Sequence, residues 1–200
     1  MVSSKSRMLI DYIKRKHGVA TFSEIRRAGF DKKTLKALTE SGQVARSGRA
    51  LYRLREDDLS NPDLVTVAIK APRAVVCLIS ALYFHRATDH IPRQVDLAIP
   101  RGVWATAIDH PPVRYYRLSK KSYEAGIEEH QIDGRTVKIY SLAKTIADCF
   151  KFRNRIGIDV ARYALKEALS HRRVKPQEVL DYAEVNRVSR VVKPVLEALL

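Results

Sequence analysis

The sequence has few cysteines, a single tryptophan and no long apolar run. Cys77 and Cys149 stand apart with no CxxC pair, so neither a zinc site nor a disulfide framework is indicated, and two buried thiols are expected. No apolar run approaches the roughly 18 residues of a membrane span, and the polar start MVSSKSR lacks the apolar core of a signal peptide. We therefore expect a cytoplasmic globular protein without a membrane partner.

Acidic residues are too few to balance the basic ones. The 200 residues carry 37 Lys and Arg against 22 Asp and Glu, which gives a formal net charge of +15. The excess is densest in residues 1–55, with 14 basic and 4 acidic side chains. A charge of this size predicts a polyanionic partner, and nucleic acid is favoured over an anionic membrane.

The acidic, turn-forming stretch REDDLSNPDL separates two parts of the chain. Its Ser-Asn-Pro turn and consecutive acids break helix and strand. We predict one domain over residues 1–58 and a second over residues 62–200.

The first domain shows start and stop signals for three short helices. Residues 4–16 have helical apolar spacing and end at Gly18, and Thr21 with Glu24 has the spacing of a capping box that opens a second helix. Asp31 is a good N-cap for the third helix, which runs to about Glu40 with Gly42 as its C-cap candidate.

The third helix is followed by a predicted hairpin, in which Gln43 to Arg46 pairs with Ala50 to Leu54 across Ser47-Gly48-Arg49. Three short helices and a two-stranded hairpin in this order predict a winged helix-turn-helix.

The second domain is predicted to be α+β, with a small sheet backed by several helices. Helices are expected over 64–70, 74–86, 159–170, 176–185 and 189–199, the last kinked or divided at Pro194. QVDLAIP and VRYYRLS are typical of strands. The turn Asp133-Gly134 predicts a type I′ hairpin within IEEHQIDGRTVKIYS, and Ser141 is expected to cap the next helix.

The third helix and the hairpin form a candidate DNA-binding surface. Leu35 and Leu38 should face the core, while cationic side chains near the start of the same helix are placed to enter a major groove. The hairpin tip could reach phosphates or an adjacent minor groove. The predicted DNA-binding residues are Arg26, Arg27, Lys32, Lys33, Thr34, Lys36, Arg46, Ser47, Gly48 and Arg49.

Two patterns raise the question of chemistry at a metal. In HRATDH, His85, Asp89 and His90 lie close together, but no third well-spaced ligand completes a metal site. Asp96 could hold Mg²⁺ in a DNA-targeted nuclease, which is the alternative function, yet from residue 61 onward no lysine has Asp or Glu two positions before it. We therefore expect no enzyme activity, no cofactor and no metal.

A second basic cluster lies in the later domain and comprises Lys144, Lys151, Arg153 and Arg155. It could add a DNA contact or bind an acidic partner, and an ordinary solvated face is the simpler interpretation.

The chain resembles the AbiEi antitoxins of bacterial type IV toxin-antitoxin systems. The similarity lies in GVATFSEIRRAGFDKKTLKALTESGQVARSGRALYRL and, more specifically, in YSLAKTIADCFKFRNRIGIDVARYALKEAL. SALYFHRATDHIP and VDLAIPRG also look like segments of that family.

The resemblance implies an antitoxin and transcriptional autorepressor. Its N-terminal domain would bind inverted repeats in double-stranded promoter DNA, and its C-terminal domain would support repression, antitoxicity and cooperative assembly on DNA. A nucleotidyltransferase-like toxin would be opposed without a stable protein complex. A DNA-tethered interaction module with no toxin partner stays open as a simpler possibility.

Overall fold

A computed structural model describes residues 4–47, 50–55 and 61–199. The expected tip residues Gly48 and Arg49, the acidic segment 56–60 and the start of MVSSKSR lie outside these described residues. The fold is mixed α+β, as predicted, with a three-stranded and a five-stranded sheet.

The N-terminal part has the element order of a winged helix-turn-helix. Its strands form an antiparallel sheet in the order β1-β3-β2. The first strand was not predicted, because three residues are too few to show alternation. The elements are α1 Ser4–Arg15, β1 Val19–Thr21, α2 Phe22–Arg27, α3 Lys32–Glu40, β2 Val44–Arg46 and β3 Leu51–Leu54.

Local capping explains where these short helices begin. The hydroxyl of Thr21 accepts the backbone N–H of Glu24 at 3.2 Å, and the Glu24 carboxylate accepts the Thr21 backbone N–H at 2.8 Å, which confirms the capping box. Asp31 accepts the Thr34 backbone N–H at 2.7 Å and caps α3 as predicted. These caps satisfy N–H groups that a helix start leaves unpaired.

A small apolar core holds the three helices on the sheet. α1 packs against α3. The buried core residues are Leu9, Ile13, Ala20, Ile25, Leu35, Leu38, Val44 and Leu54.

The C-terminal part is built on a mixed sheet with strand order β6-β5-β4-β8-β7. β4 runs parallel to β8, β5 runs parallel to β6, and the other two pairings are antiparallel. The elements are α4 Pro62–Lys70, β4 Val75–Val76, α5 Leu78–Phe84, β5 Val95–Pro100, β6 Val113–Leu118, α6 Lys120–Glu124, β7 Ile127–Ile132, β8 Arg135–Tyr140, α7 Leu142–Lys151, α8 Arg153–Ile156, α9 Ile158–Ser170, α10 Pro176–Val185 and α11 Ser189–Glu197.

The large sheet lies between two buried apolar clusters. On one side, α7 contributes Ile146 and Phe150, both fully buried, to a cluster shared with α9, α10 and α11. On the other side, α4 contributes Val65, which packs with Val137 and Ile139 of β8. Cys77 and Cys149 are buried and free, as expected.

Several local predictions about the second part are confirmed. Asp133 and Gly134 have φ of 46° and 66°, as a type I′ turn requires, and β7 and β8 pair around them. Ser141 caps α7, since its hydroxyl accepts the Lys144 backbone N–H at 3.3 Å.

One prediction about the helices of this part is wrong. Residues 74–86 do not form one helix, because Val75–Val76 is a strand between β5 and β8, and α5 starts only at Leu78. Of the two outcomes expected at Pro194, division of the last helix is excluded, since α11 continues through it. No helix among the described residues is long and apolar enough to cross a membrane.

Candidate nucleic-acid interface

α2 and α3 are joined by a tight turn that sets their relative position. Gly29 has a φ of 88°, which favours glycine. The guanidinium of Arg26 donates to the backbone carbonyl of Phe30 at 3.2 Å and so spans the turn. Phe30 packs on Tyr12 of α1 with ring centroids 5.6 Å apart. The turn is therefore braced by both polar and aromatic contacts.

α3 has one buried and one cationic side. Leu35 and Leu38 are each 2% exposed, whereas the side chains of Lys32, Lys33 and Lys36 are exposed. Lys36 also lies 3.6 Å from the carboxylate of Glu40, an exposed pair that water screens. The outward side of α3 thus carries the cations that the sequence places there.

Thr34 does not lie on that cationic side. It is only 9% exposed and sits on the inner side of α3 next to Leu35, because helical spacing turns it toward the core. The prediction of Thr34 as a base-contacting side chain is therefore corrected. The hydrogen bond from the Thr34 backbone lowers the pKa of Asp31, so this cap stays ionised beside Lys32 and Lys33.

The remaining predicted contacts lie on α2 and in the wing. Arg26 and Arg27 are exposed on the last turn of α2. Arg46 is exposed at the end of β2, and the Ser47 backbone N–H pairs with the Leu51 carbonyl at 2.9 Å. Gly48 and Arg49 lie outside the described residues.

The second basic cluster is not a surface face. Lys144 is fully buried, and its ammonium lies 2.6 Å from the Asp148 carboxylate and 4.3 Å from the centroid of the Tyr140 ring. Arg153 is half-buried and donates to the Phe150 carbonyl at 2.9 Å. Lys151 is also half-buried, which leaves Arg155 as the exposed member of the set. The prediction fails because Lys144 and Asp148, one helical turn apart, pair inside the core.

The side chains of HRATDH that could bind a metal do not come together either. α5 ends at Phe84, so His85 and Asp89 do not share a helical face. His85 donates a hydrogen bond from Nε2 to the Tyr140 backbone carbonyl at 2.8 Å. The Asp89 carboxylate accepts a hydrogen bond from the Tyr163 hydroxyl at 3.1 Å. Within residues 4–47, 50–55 and 61–199, no group of three His, Cys, Asp or Glu is arranged to hold a metal ion.

Asp96 lies inside the protein. It is 3% exposed, and one carboxylate oxygen has no hydrogen-bond partner among the described residues. Burial raises the pKa of Asp96 to about 6, although nearby Arg114 lowers it. The carboxylate is thus enclosed by the fold instead of lining an open cleft.

One contact to the helix-turn-helix comes from the other part of the chain. The guanidinium of Arg135 lies 3.3 Å from the carboxylate of Glu24, which caps α2. The two residues are 111 positions apart, so no local pattern in the sequence signals this pair.

Comparisons with known proteins agree with this geometry. Residues 7–55 match a family model described as a transcriptional regulator, AbiEi antitoxin. The fold is similar to the crystal structure of the RV2827C protein from Mycobacterium tuberculosis, with a TM-score of 0.57 over 98% of this chain and 82% of that chain. Their sequence identity is 11%, so this likeness concerns the fold alone. Among curated proteins, none matches the chain.

The matched residues run from α1 through β3 and contain the capped helices and most of the wing described above. Residues 7–55, which form most of the winged helix-turn-helix, are therefore similar to the AbiEi antitoxin family of transcriptional regulators.

Proposed function

We propose that the protein is a sequence-specific autorepressor that binds inverted repeats in its own promoter through α3 and the wing. One copy would occupy each half-site, with the N-terminal half of α3 in the major groove. The predicted contacts are Arg26, Arg27, Lys32, Lys33, Lys36, Arg46, Ser47, Gly48 and Arg49.

The observation that carries this proposal is the division of α3 into a buried apolar side and an exposed cationic side. Lys32, Lys33 and Lys36 extend from a helix whose Leu35 and Leu38 anchor it in the core. A helix held in this way can present cations to phosphates and base edges without unfolding. The formal charge of +15 attracts the whole protein to DNA.

The antitoxin role extends this proposal to the neighbouring toxin. The matched family description names an antitoxin. We propose that this protein opposes a nucleotidyltransferase-like toxin without a stable complex between the two, and that the C-terminal part supports both repression and protection.

A reporter assay tests the regulatory proposal. The native promoter drives a fluorescent reporter in cells with or without the protein, and a matched promoter carries scrambled repeats. Repression of the native promoter alone is expected. Equal expression from both promoters would contradict autorepression.

A growth assay tests the antitoxin proposal separately. The adjacent gene is expressed alone and together with the protein, and growth arrest that the protein relieves is expected. If the adjacent gene is harmless, or if the protein gives no relief, the antitoxin role fails and a DNA-tethered interaction module is left.

A further inference from the structure

The tip of the β7–β8 hairpin lies against the helix-turn-helix. Arg135, the first residue of β8, donates one guanidinium N–H to the Val19 backbone carbonyl of β1 at 3.0 Å. Both terminal nitrogens of the same guanidinium lie 3.3 Å from Glu24 Oε1. The side chains of Arg135 and Glu24 are each 22% exposed, so water only partly screens their attraction. The guanidinium thus joins a strand and a helix of the N-terminal part to the larger sheet.

The carboxylate of Glu24 has a second structural task. It closes the N-terminus of α2 by accepting from the backbone and the hydroxyl of Thr21, at 2.8 and 2.9 Å. Partial burial raises the pKa of Glu24, but the hydrogen bonds from Thr21 and Arg135 outweigh burial, so the pKa lies below its ordinary value. The Glu24 carboxylate, which caps the start of α2, is therefore also the group that Arg135 of the hairpin binds.

The hairpin tip also lies close to the exposed side chain of His17, just after α1. A Cβ on Gly134 would overlap the imidazole ring of His17, and the φ of 66° at Gly134 independently favours glycine. Beside it, Asp133 accepts the Asn61 backbone N–H at 3.4 Å. The turn Asp133–Arg135 therefore contacts the N-terminal part and the start of α4.

Apolar packing continues beneath these polar contacts. Val19 and Leu51, each 2% exposed, belong to the same buried cluster as Val65, Ile132 and Val137. The two parts of the chain thus share a core at this point. Because hydrogen bonds have preferred angles, the polar contacts at the tip restrict the relative orientation of the two parts.

We propose that the turn Asp133–Arg135 is a positioning element that fixes the helix-turn-helix in one orientation relative to the C-terminal part. Arg135 is the positioning residue, and Gly134 permits the close approach to His17. Its consequence for DNA rests on the proposed function. Where the C-terminal parts of two bound copies contact each other, a fixed orientation lets the pair accept one spacing of half-sites, because these parts move rigidly with the reading helices.

A distance measurement between the two parts tests the orientation directly. Spin labels are placed at Met8→Cys on α1 and Lys166→Cys on α9, since both positions are exposed while Cys77 and Cys149 are buried. A narrow distance distribution is expected with the native turn. Arg135→Gln and Gly134→Ala should each broaden or shift the distribution.

Gly102→Ala is the matched control for Gly134→Ala. Gly102 also has a positive φ, 81°, but a Cβ there would meet nothing within 4 Å. It reproduces the backbone strain without the clash, so its distribution should equal that of the native turn. Unchanged distributions in both Arg135→Gln and Gly134→Ala would overturn the positioning role.

A binding measurement tests the consequence for DNA. Affinities are compared for a duplex with native repeat spacing and for one with half a helical turn, about 5 base pairs, inserted between the repeats. Arg135→Gln should reduce the preference for native spacing by up to about tenfold, the limit set by the loss of one set of charge-assisted hydrogen bonds. General loss of folded protein would lower both affinities equally.

The two measurements separate the two ideas. If the unaltered protein binds neither duplex specifically, the proposed function fails, and the distance distributions still decide the positioning role. If Arg135→Gln keeps the full spacing preference, the consequence for DNA is wrong.

Discussion

Lys33→Glu tests whether α3 contacts DNA specifically or whether the protein is attracted to DNA only by its overall charge. Lys33 is exposed near the start of α3, and a glutamate near a helix N-terminus is favourable for the helix. The fold should therefore persist, with a change in stability of less than about 0.5 kcal/mol.

The expected loss of affinity follows from what Lys33 would contact. Loss of a base contact costs about 1–3 kcal/mol, which lowers affinity by roughly 5-fold to 150-fold. If Lys33 contacts a phosphate instead, the salt slope falls by at least about 1, since the charge is reversed, and the loss is similar for all sequences. Fluorescence anisotropy on native and scrambled duplexes distinguishes these two cases.

Lys166→Glu provides the matched control. Lys166 is an exposed helical lysine on α9, and its reversal changes the net charge by the same amount. In Lys166→Glu only the long-range electrostatic attraction between protein and DNA should weaken. Equal losses for Lys33→Glu and Lys166→Glu would refute the assignment of α3 as the reading helix.

Three further predictions concern the interior and the caps. Lys144→Met leaves the fully buried Asp148 carboxylate without its cation and should lower the free energy of unfolding by about 3–5 kcal/mol, measured by denaturant. Lys166→Met, at an exposed position, should lower it by almost nothing. Similar losses in the two variants would contradict the buried pair. Asp96 has its folded pKa raised to about 6, so its ionised form is penalised in the folded state at neutral pH, and this penalty disappears as pH falls from 6 toward 4. The unfolding free energy should therefore rise over that window in the unaltered protein relative to Asp96→Asn, and parallel pH profiles would contradict this. Thr21→Ala removes the hydroxyl that caps α2 and should lower the unfolding free energy by about 1 kcal/mol, so an unchanged denaturation midpoint would count against the capping box.

Local chemistry made much of the fold predictable from the sequence. Two caps and one turn act through neighbours within four residues, and all behave as their patterns predict. They are the capping box of Thr21 and Glu24, the N-cap Asp31 and the turn Asp133-Gly134. The winged element order follows from the same signals.

Features that depend on distant partners were missed. Val75–Val76 is a strand only because β5 and β8 flank it, and its apolar surroundings resemble a helix in isolation. The pairing of Arg135 with Glu24 has no local signal at all. Lys144 is different, since Asp148 four residues later within a largely apolar helix could have indicated a buried pair.

We propose that this protein reads its own promoter with α3 and the wing. Fluorescence anisotropy on a duplex from directly upstream of its gene, with a scrambled duplex alongside, tests it most directly across a salt series. Tight binding to the native duplex alone is predicted, and neutralising about 6–10 phosphates should cost roughly 10³–10⁵ in affinity between 50 and 200 mM salt. Equal binding to both duplexes would contradict promoter-specific recognition.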